Sequence, residues 1–283
     1  MATFYNQATL RYNNTVTTSN ITTGELLEVL SVTKTALRST YTAQDTAVYL
    51  VQLVNSGTLP FTGLTVSDDL GAYDYDGTTL TPLDYVDGTL RYFADGVLQP
   101  APAVTAGPPL TVSGITVPAG GSALLVYEAQ LNSFAPEGAG AAITNTATVS
   151  GGGLSAPLTA EATITADSAP YLTISKSLSP LTVSENGQIT YTFVIQNSGN
   201  TAAVATDNAA ITDLFDPILS GLTVTFNGDV WTEGVNYTYD AATGAFATVP
   251  GQITVPAATF TQNASGVWVT DPGTAILRVT GTV

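Results

Sequence analysis

Lys34 and Lys176 are the only lysines in this chain of 283 residues. Each stands in the same frame, Val-Thr-Lys-Thr at 32–35 and Ile-Ser-Lys-Ser at 174–177. Lysine is normally common and spread over a surface for solubility, so two at matched sites raise a question of chemistry. A lysine among apolar strand neighbours is desolvated, which disfavours its ammonium form. It then serves as a neutral amine nucleophile or as one half of a buried ion pair. Carboxylates stand at matching places, Asp68 in "LTVSDDL" (64–70) and Asp213 in "AAITDLF" (209–215), with Asp69 a rival to Asp68. Histidine and cysteine are both absent. That removes Ser–His and Cys–His nucleophiles, thiolate metal sites and disulfides, and leaves lysine and carboxylate chemistry.

The elements that must position these groups come in two copies. Lys34 and Lys176, Tyr49 and Tyr191, and the "NSG" triplets at 55–57 and 197–199 all share one offset of 142 residues. "ITVPA" occurs at 115–119 and again at 253–257. Such self-similarity predicts homologous units in tandem, with a junction near "ADSAPYL" (166–172). Short segments alternate apolar and polar residues, as in "AVYLVQLVN" and "ITYTFVIQN", with turn residues every eight to twelve positions. This pattern predicts an all-β fold of two tandem Ig-like β-sandwiches. The divisions expected are an N-terminal donor strand or hairpin with its linker at 1–30, a complete sandwich at 31–168 and an incomplete one at 169–283. "GELLEVL" (24–30) reads as strand or linker.

The copies end differently. In the first, "ALLVYEAQL" (123–131) is followed by "ITNTATVS" (143–150) and "TAEATIT" (159–165); in the second, the strand matching "ALLVY" is "AILRVTGTV" (275–283). The second sandwich is therefore expected to lack a final hairpin. A similar segment lies at the other end. "NQATLRYNNTVTTSNIT" (6–22) aligns with 145–165, setting Asn6 on Asn145, Ala8 on Ala147, Leu10 on Val149 and Ile21 on Ile164. Phe4, Asn6, Ala8, Leu10 and Tyr12 fall on one strand face. An incomplete sandwich presents an open groove and an unpaired edge. Strand donation from a second copy would fill it and, being head-to-tail, would build an open fibre.

These motifs in order resemble a known group. "YLVQLVNSG" (49–57) with "YTFVIQNSG" (191–199), "VSDDL" with "ITDLF", and "NTATV" (145–149) look like the tandem conserved-repeat domains of bacterial surface proteins. They are also similar to isopeptide-forming fimbrial domains of Gram-positive bacteria. The resemblance implies that a lysine amine attacks an asparagine amide, assisted by a nearby acid, releasing ammonia. Carried onto this chain, Lys34 would join Asn145 with Asp68 assisting. Lys176 with Asp213 would join Asn6 of a neighbouring subunit. A plain Lys–Asp salt bridge, with Asn145 capping a turn, remains the alternative. Asn55 and Asn197 are rival amides that read better as turn residues.

Composition narrows the partners. Six basic against 22 acidic side chains give a formal charge of −16, which disfavours nucleic acid and anionic membrane surfaces. No apolar run reaches the roughly 18 residues of a spanning helix, so no membrane insertion is expected. The first residues carry no signal-peptide pattern, and a sortase-type signal is not found at the other end. Export by another route, or removal of a leader, is expected. "DYDGTT" (74–79) and "DGTLRYFADG" (87–96) resemble calcium loops but lack an EF-hand's ligand spacing and read as surface turns. No metal, cofactor or external-substrate chemistry is expected. The sequence reads as a structural subunit of an extracellular filament on a bacterial cell or spore surface, partnered by itself. The alternative is a monomeric adhesin or surface-layer stalk whose ligand is unknown.

Overall fold

The computed structural model describes residues 2–43 and 45–283. The fold is all-β, with one short 3-10 turn at Ala205–Asp207. Valine, tyrosine, leucine and threonine alternate along the long strands, so each strand has one face to bury. Thr46–Asn55 buries Ala47, Tyr49, Val51, Leu53 and Asn55 and turns the intervening residues outward.

Two separate apolar cores form, each between two sheets. Around the first, one sheet runs Val97–Gln99, Arg91–Ala94, Ser122–Leu131, Thr46–Asn55, Leu30–Ala36. The facing sheet runs Ala103–Thr105, Leu110–Val117, Phe61–Asp68, Ala142–Gly151, Leu158–Ala166, Thr40–Tyr41. Around the second, the corresponding first sheet is Leu172–Ser179, Gln188–Asn197, Gly273–Thr282, Ser220–Phe226, Asp229–Trp231. Its facing sheet has only Thr212–Leu214, Ala245–Thr248 and Tyr237–Asp240.

The difference lies at one edge. The Asp68 strand pairs with Leu110–Val117 on one side and with Ala142–Gly151 on the other. The Asp213 strand pairs with Ala245–Thr248 alone, so among the described residues its other edge is free. In the first sandwich the hairpin Ala142–Ala166 also covers the lysine strand, where Leu30 and Lys34 are buried. Its counterpart Leu172–Ser179 lies uncovered, with Ile174 55% exposed. Leu214 and Ile218 are likewise exposed.

Residues Ala2–Leu26 form a hairpin that, among the described residues, hydrogen-bonds only to itself: Ala2–Asn6 with Thr22–Leu26, then Thr9–Tyr12 with Thr15–Thr18. Asn13 and Asn14 close it with φ of 40° and 60°. Both lie in the left-handed region that a two-residue hairpin turn requires and that asparagine tolerates. Phe4, Leu10, Tyr12, Val16 and Ile21 are all exposed. The Phe4 ring lies over Gly24, where a Cβ would come within 2.3 Å of it. The return strand corrects one alignment drawn from sequence. Asn6 pairs with Thr22, whereas Thr9 pairs with Thr18, so the return strand carries one extra residue between them, a bulge. In the first sandwich Asn145 pairs with Ala162 and Ile143 with Ile164. The hairpin position matching Ile164 is thus Gly24, opposite Phe4, and not Ile21.

Hydrogen bonds tie the sandwiches together. Asn200 Nδ2 donates to the carbonyls of Asp167 (2.7 Å) and Glu137 (3.0 Å). The second sandwich's hairpin Thr259–Asp271 reaches back to the first. There Trp268 N donates to Ser133 O (3.0 Å), and Gln262 Nε2 donates to the Tyr73 hydroxyl (2.8 Å). The two acidic segments that resemble calcium loops form hairpin turns, at Asp76–Gly77 and Asp95–Gly96, all with positive φ.

Candidate functional site

The sheet geometry of the first sandwich brings three of the residues singled out from sequence into one buried cluster. Lys34 points inward from an edge strand of one sheet, while Asp68 and Asn145 point inward from neighbouring strands of the other. Lys34 Nζ donates to Asp68 Oδ2 at 2.6 Å, and both side chains are almost wholly buried. Asp68 Oδ1 accepts from the backbone N of Leu70 at 3.1 Å, which fixes the carboxylate and leaves Oδ2 facing the lysine. Asp69, the rival acid, faces away from Lys34. Its Oδ1 accepts from the backbone N–H groups of Gly71 and Thr146, both at 2.9 Å.

A fourth residue, not singled out from sequence, completes the cluster. The Tyr127 hydroxyl donates to Asp68 Oδ2 at 2.5 Å and accepts from Asn145 Nδ2 at 3.4 Å. Tyr127 stands opposite Tyr49 in register, their rings stacked 5.7 Å apart, and Lys34 Nζ lies 5.0 Å from the Tyr49 ring centre. Asn145 is fully buried, yet its Oδ1 has no hydrogen-bond partner, and neither does the Tyr49 hydroxyl. A buried carbonyl left without a donor costs about 1–3 kcal/mol. The amide of Asn145 is thus a poorly stabilised group in the same hydrogen-bonded cluster as the Lys34 amine.

Burial dominates the electrostatics. It lowers the Lys34 pKa below the ordinary lysine value, and the attraction of Asp68 offsets only part of this. Burial also raises the Tyr127 and Tyr49 hydroxyls well above the ordinary phenol value, with the Asp68 charge adding to both, so both remain protonated. A lysine whose ammonium form is disfavoured by burial, a carboxylate and an amide are therefore assembled in a dry site. Converting a buried ion pair to an uncharged amide removes the desolvation cost of both charges.

In the second sandwich the same strand positions bring Lys176 and Asp213 into contact through Lys176 Nζ and Asp213 Oδ2. The amine lies 4.4 Å from the Tyr191 ring centre and 5.5 Å from those of Phe193 and Phe215. This pair is open where the first is closed, with the Lys176 side chain 39% exposed. Tyr191 stands opposite Val279, so the counterpart of Tyr127 carries no hydroxyl. Asn6 takes no part in either lysine cluster; it sits in the exposed N-terminal hairpin, where its carbonyl accepts from Thr22 Oγ1.

Asn55 and Asn197 are turn residues. Asn55 Nδ2 donates to the carbonyls of Leu59 and Pro118, and its Oδ1 accepts from Gly57 N. Asn197 repeats this with Thr201, Pro256 and Gly199. Each buried amide is saturated and locks a chain corner, which accounts for the repeated "NSG".

The sequence matches no protein-family model, and it matches no curated protein. Solved structures similar in fold include the pilus backbone of Streptococcus pneumoniae, at 12% identity over 86% of this chain and 55% of that one, TM-score 0.35. The major pilin subunit of Bacillus cereus is 13% identical over 96% of this chain and 73% of that one, TM-score 0.36. AvmM, which catalyses macrocyclization in alchivemycin A biosynthesis, is 13% identical over 58% of this chain and 97% of that one, TM-score 0.30. This chain spans little more than half the length of the pneumococcal backbone. No helix of the described residues is long and apolar enough to cross a membrane.

Proposed function

We propose that this protein is the subunit of an extracellular filament on a bacterial cell or spore surface, assembled head-to-tail by strand donation. The observation that carries the reading is the free edge of Thr212–Leu214 beside an uncovered lysine strand, at the place where the first sandwich holds its hairpin Ala142–Ala166. The hairpin Ala2–Leu26 is the occupant. It exposes Phe4, Leu10, Tyr12, Val16 and Ile21, pairs among the described residues only within itself, and carries Asn6 at the position that the sequence aligns with Asn145. The homologous register sets Ala8 of a second copy opposite Asp213, as Ala147 stands opposite Asp68. Burying Phe4, Leu10 and Ile174 would contribute about 1.5–3 kcal/mol each before the cost of association.

In the same reading each lysine is a cross-linking nucleophile, Lys34 toward Asn145 and Lys176 toward Asn6 of the next subunit. Asp68 and Asp213 take the ammonium proton, and packing supplies the positioning that a bimolecular reaction lacks. The chain thus acts on itself and turns over no external substrate. Deleting residues 2–26 tests the assembly step. Electron microscopy should find fibres of the full chain and dispersed particles of the truncated one. Fibres of undiminished length from the truncated chain would overturn strand donation.

Where the first bond is prevented, the lysine should leave a signature in the pH dependence of stability. In Asn145→Ala, Lys34 keeps a pKa lowered by burial. The unfolded chain then binds more protons at this site between the lowered value and about 10.5, so stability rises with pH across that window. Tyr127 and Tyr49 shift the other way, so above about pH 10 the folded state holds more protons and stability falls. Denaturant unfolding should therefore find a stability maximum near pH 10 for Asn145→Ala. The rise below it should be missing when Lys34→Met and Asp68→Asn are added.

A further inference from the structure

We propose that Tyr127 is the proton donor to the leaving nitrogen in the Lys34–Asn145 reaction, passing a proton from Asp68 Oδ2 to Asn145 Nδ2. This rests on the cross-linking reading above and adds to it the step that the acid and the amine leave unprovided for. Attack on an amide stalls unless the departing nitrogen is protonated, because an amide anion is too poor a leaving group. Asp68 makes no hydrogen bond to Asn145; its Oδ2 bonds to Lys34 and Tyr127, and its Oδ1 to Leu70 N. The Tyr127 oxygen is in hydrogen-bond contact with both Asp68 Oδ2 (2.5 Å) and Asn145 Nδ2 (3.4 Å). It is the bridge between the acid and the leaving group.

The protons balance. Lys34 gives one ammonium proton to Asp68 Oδ2, and its freed lone pair forms the bond to Cγ of Asn145 while the carbonyl pair moves to Oδ1. Tyr127 then gives its hydroxyl proton to Nδ2 and takes the Asp68 proton in exchange. The C–Nδ2 bond breaks with its electron pair on nitrogen, the carbonyl re-forms and ammonia leaves. The surplus proton on the new amide nitrogen returns to Asp68. The products are one amide, one ammonia, a neutral Asp68 and an unchanged Tyr127. The same side chain both accepts and donates, as a relay of this kind requires.

Tyr49 is the internal control. It has the same ring, stacked on Tyr127 and equally buried, and its hydroxyl lies close to Asn145, but it makes no hydrogen bond to Asp68. The full chain is made by cell-free synthesis, quenched at intervals in acid and weighed intact. Loss of one ammonia in the wild type should slow about a hundredfold or more in Tyr127→Phe, the scale of a lost general acid. In Tyr49→Phe it should stay within roughly threefold, since that hydroxyl, though close to Asn145, has no hydrogen bond to Asp68 from which to recover a proton. Tyr127→Phe converting at the wild-type rate would overturn the relay. A wild type that never loses ammonia would overturn the cross-linking reading itself and the relay with it. Should Tyr127→Phe fail to fold, fluorinated tyrosines at position 127 decide the matter, since they change the acidity of the hydroxyl and hardly the packing. A rate that follows acidity supports proton donation, and a rate indifferent to it refutes it.

Discussion

The purified chain is expected to weigh one ammonia less than its sequence, and Lys34→Ala or Asn145→Ala should each restore the full mass. The two variants should differ sharply in stability, for reasons visible in the cluster. The bond would close a loop of about 110 residues, and a covalent loop near that length contributes roughly 4–5 kcal/mol by restricting the unfolded chain. Asn145→Ala loses that contribution but also removes the carbonyl oxygen that has no partner, so part of the loss is offset. Lys34→Ala loses the bond and leaves Asp68 buried without its cation, which costs about 3–5 kcal/mol more unless the acid protonates. At about 2–5 °C per kcal/mol for a unit of this size, calorimetry should rank the wild type far above Asn145→Ala, and Asn145→Ala above Lys34→Ala. A wild type of full mass would reduce the cluster to an ion pair. Asn145→Ala would then cost little, because the weak hydrogen bond lost from Nδ2 to the Tyr127 hydroxyl is offset by removal of the unsatisfied oxygen.

Much of this site was legible in the sequence because it is built by repetition. The shared offset of Lys34 and Lys176 and the near-equal spacing to Asp68 and Asp213 carry over to shared strand positions in the two sandwiches. Alternation places Lys34 and Asn145 on inward faces, and it does so correctly. What it does not give is reach across the core. Tyr127 belongs to the sheet that carries Lys34, yet its hydroxyl ends on the carboxylate of the facing sheet. That contact depends on the gap between sheets, which no pattern along one strand encodes. The pattern marks Tyr127 only as an inward-facing aromatic. The return strand of the N-terminal hairpin was misread for a related reason. In Thr17, Thr18, Ser19 and Asn20 no apolar alternation fixes a face, so a one-residue bulge leaves no trace in the sequence.

Boiling in detergent should leave a ladder of multimers from assembled wild-type protein and a single band from Lys176→Ala, while both form fibres before boiling. The separation follows from two different interactions at one groove. Strand pairing along Thr212–Leu214 and burial of Phe4 and Leu10 would need no lysine, so the fibre should survive its removal. The covalent link needs the amine, which lies against Asp213 and the Tyr191 ring. Asn6→Ala should behave as Lys176→Ala does, and co-assembling the two variants should restore a dimer band but no longer ladder, because only a junction that joins Asn6 of one variant to Lys176 of the other has both partners, and neither subunit can then form a second bond. The second junction should also mature more slowly than the first bond. Val279 stands where Tyr127 supplies a hydroxyl, so the leaving nitrogen there has no relay within this chain. Val279→Tyr should accelerate the ladder without changing the first bond. A boil-resistant ladder from Lys176→Ala would remove the lysine from the junction. Monomeric wild type with its first 26 residues intact would remove the junction itself, and the exposed hairpin would then have folded back onto its own chain.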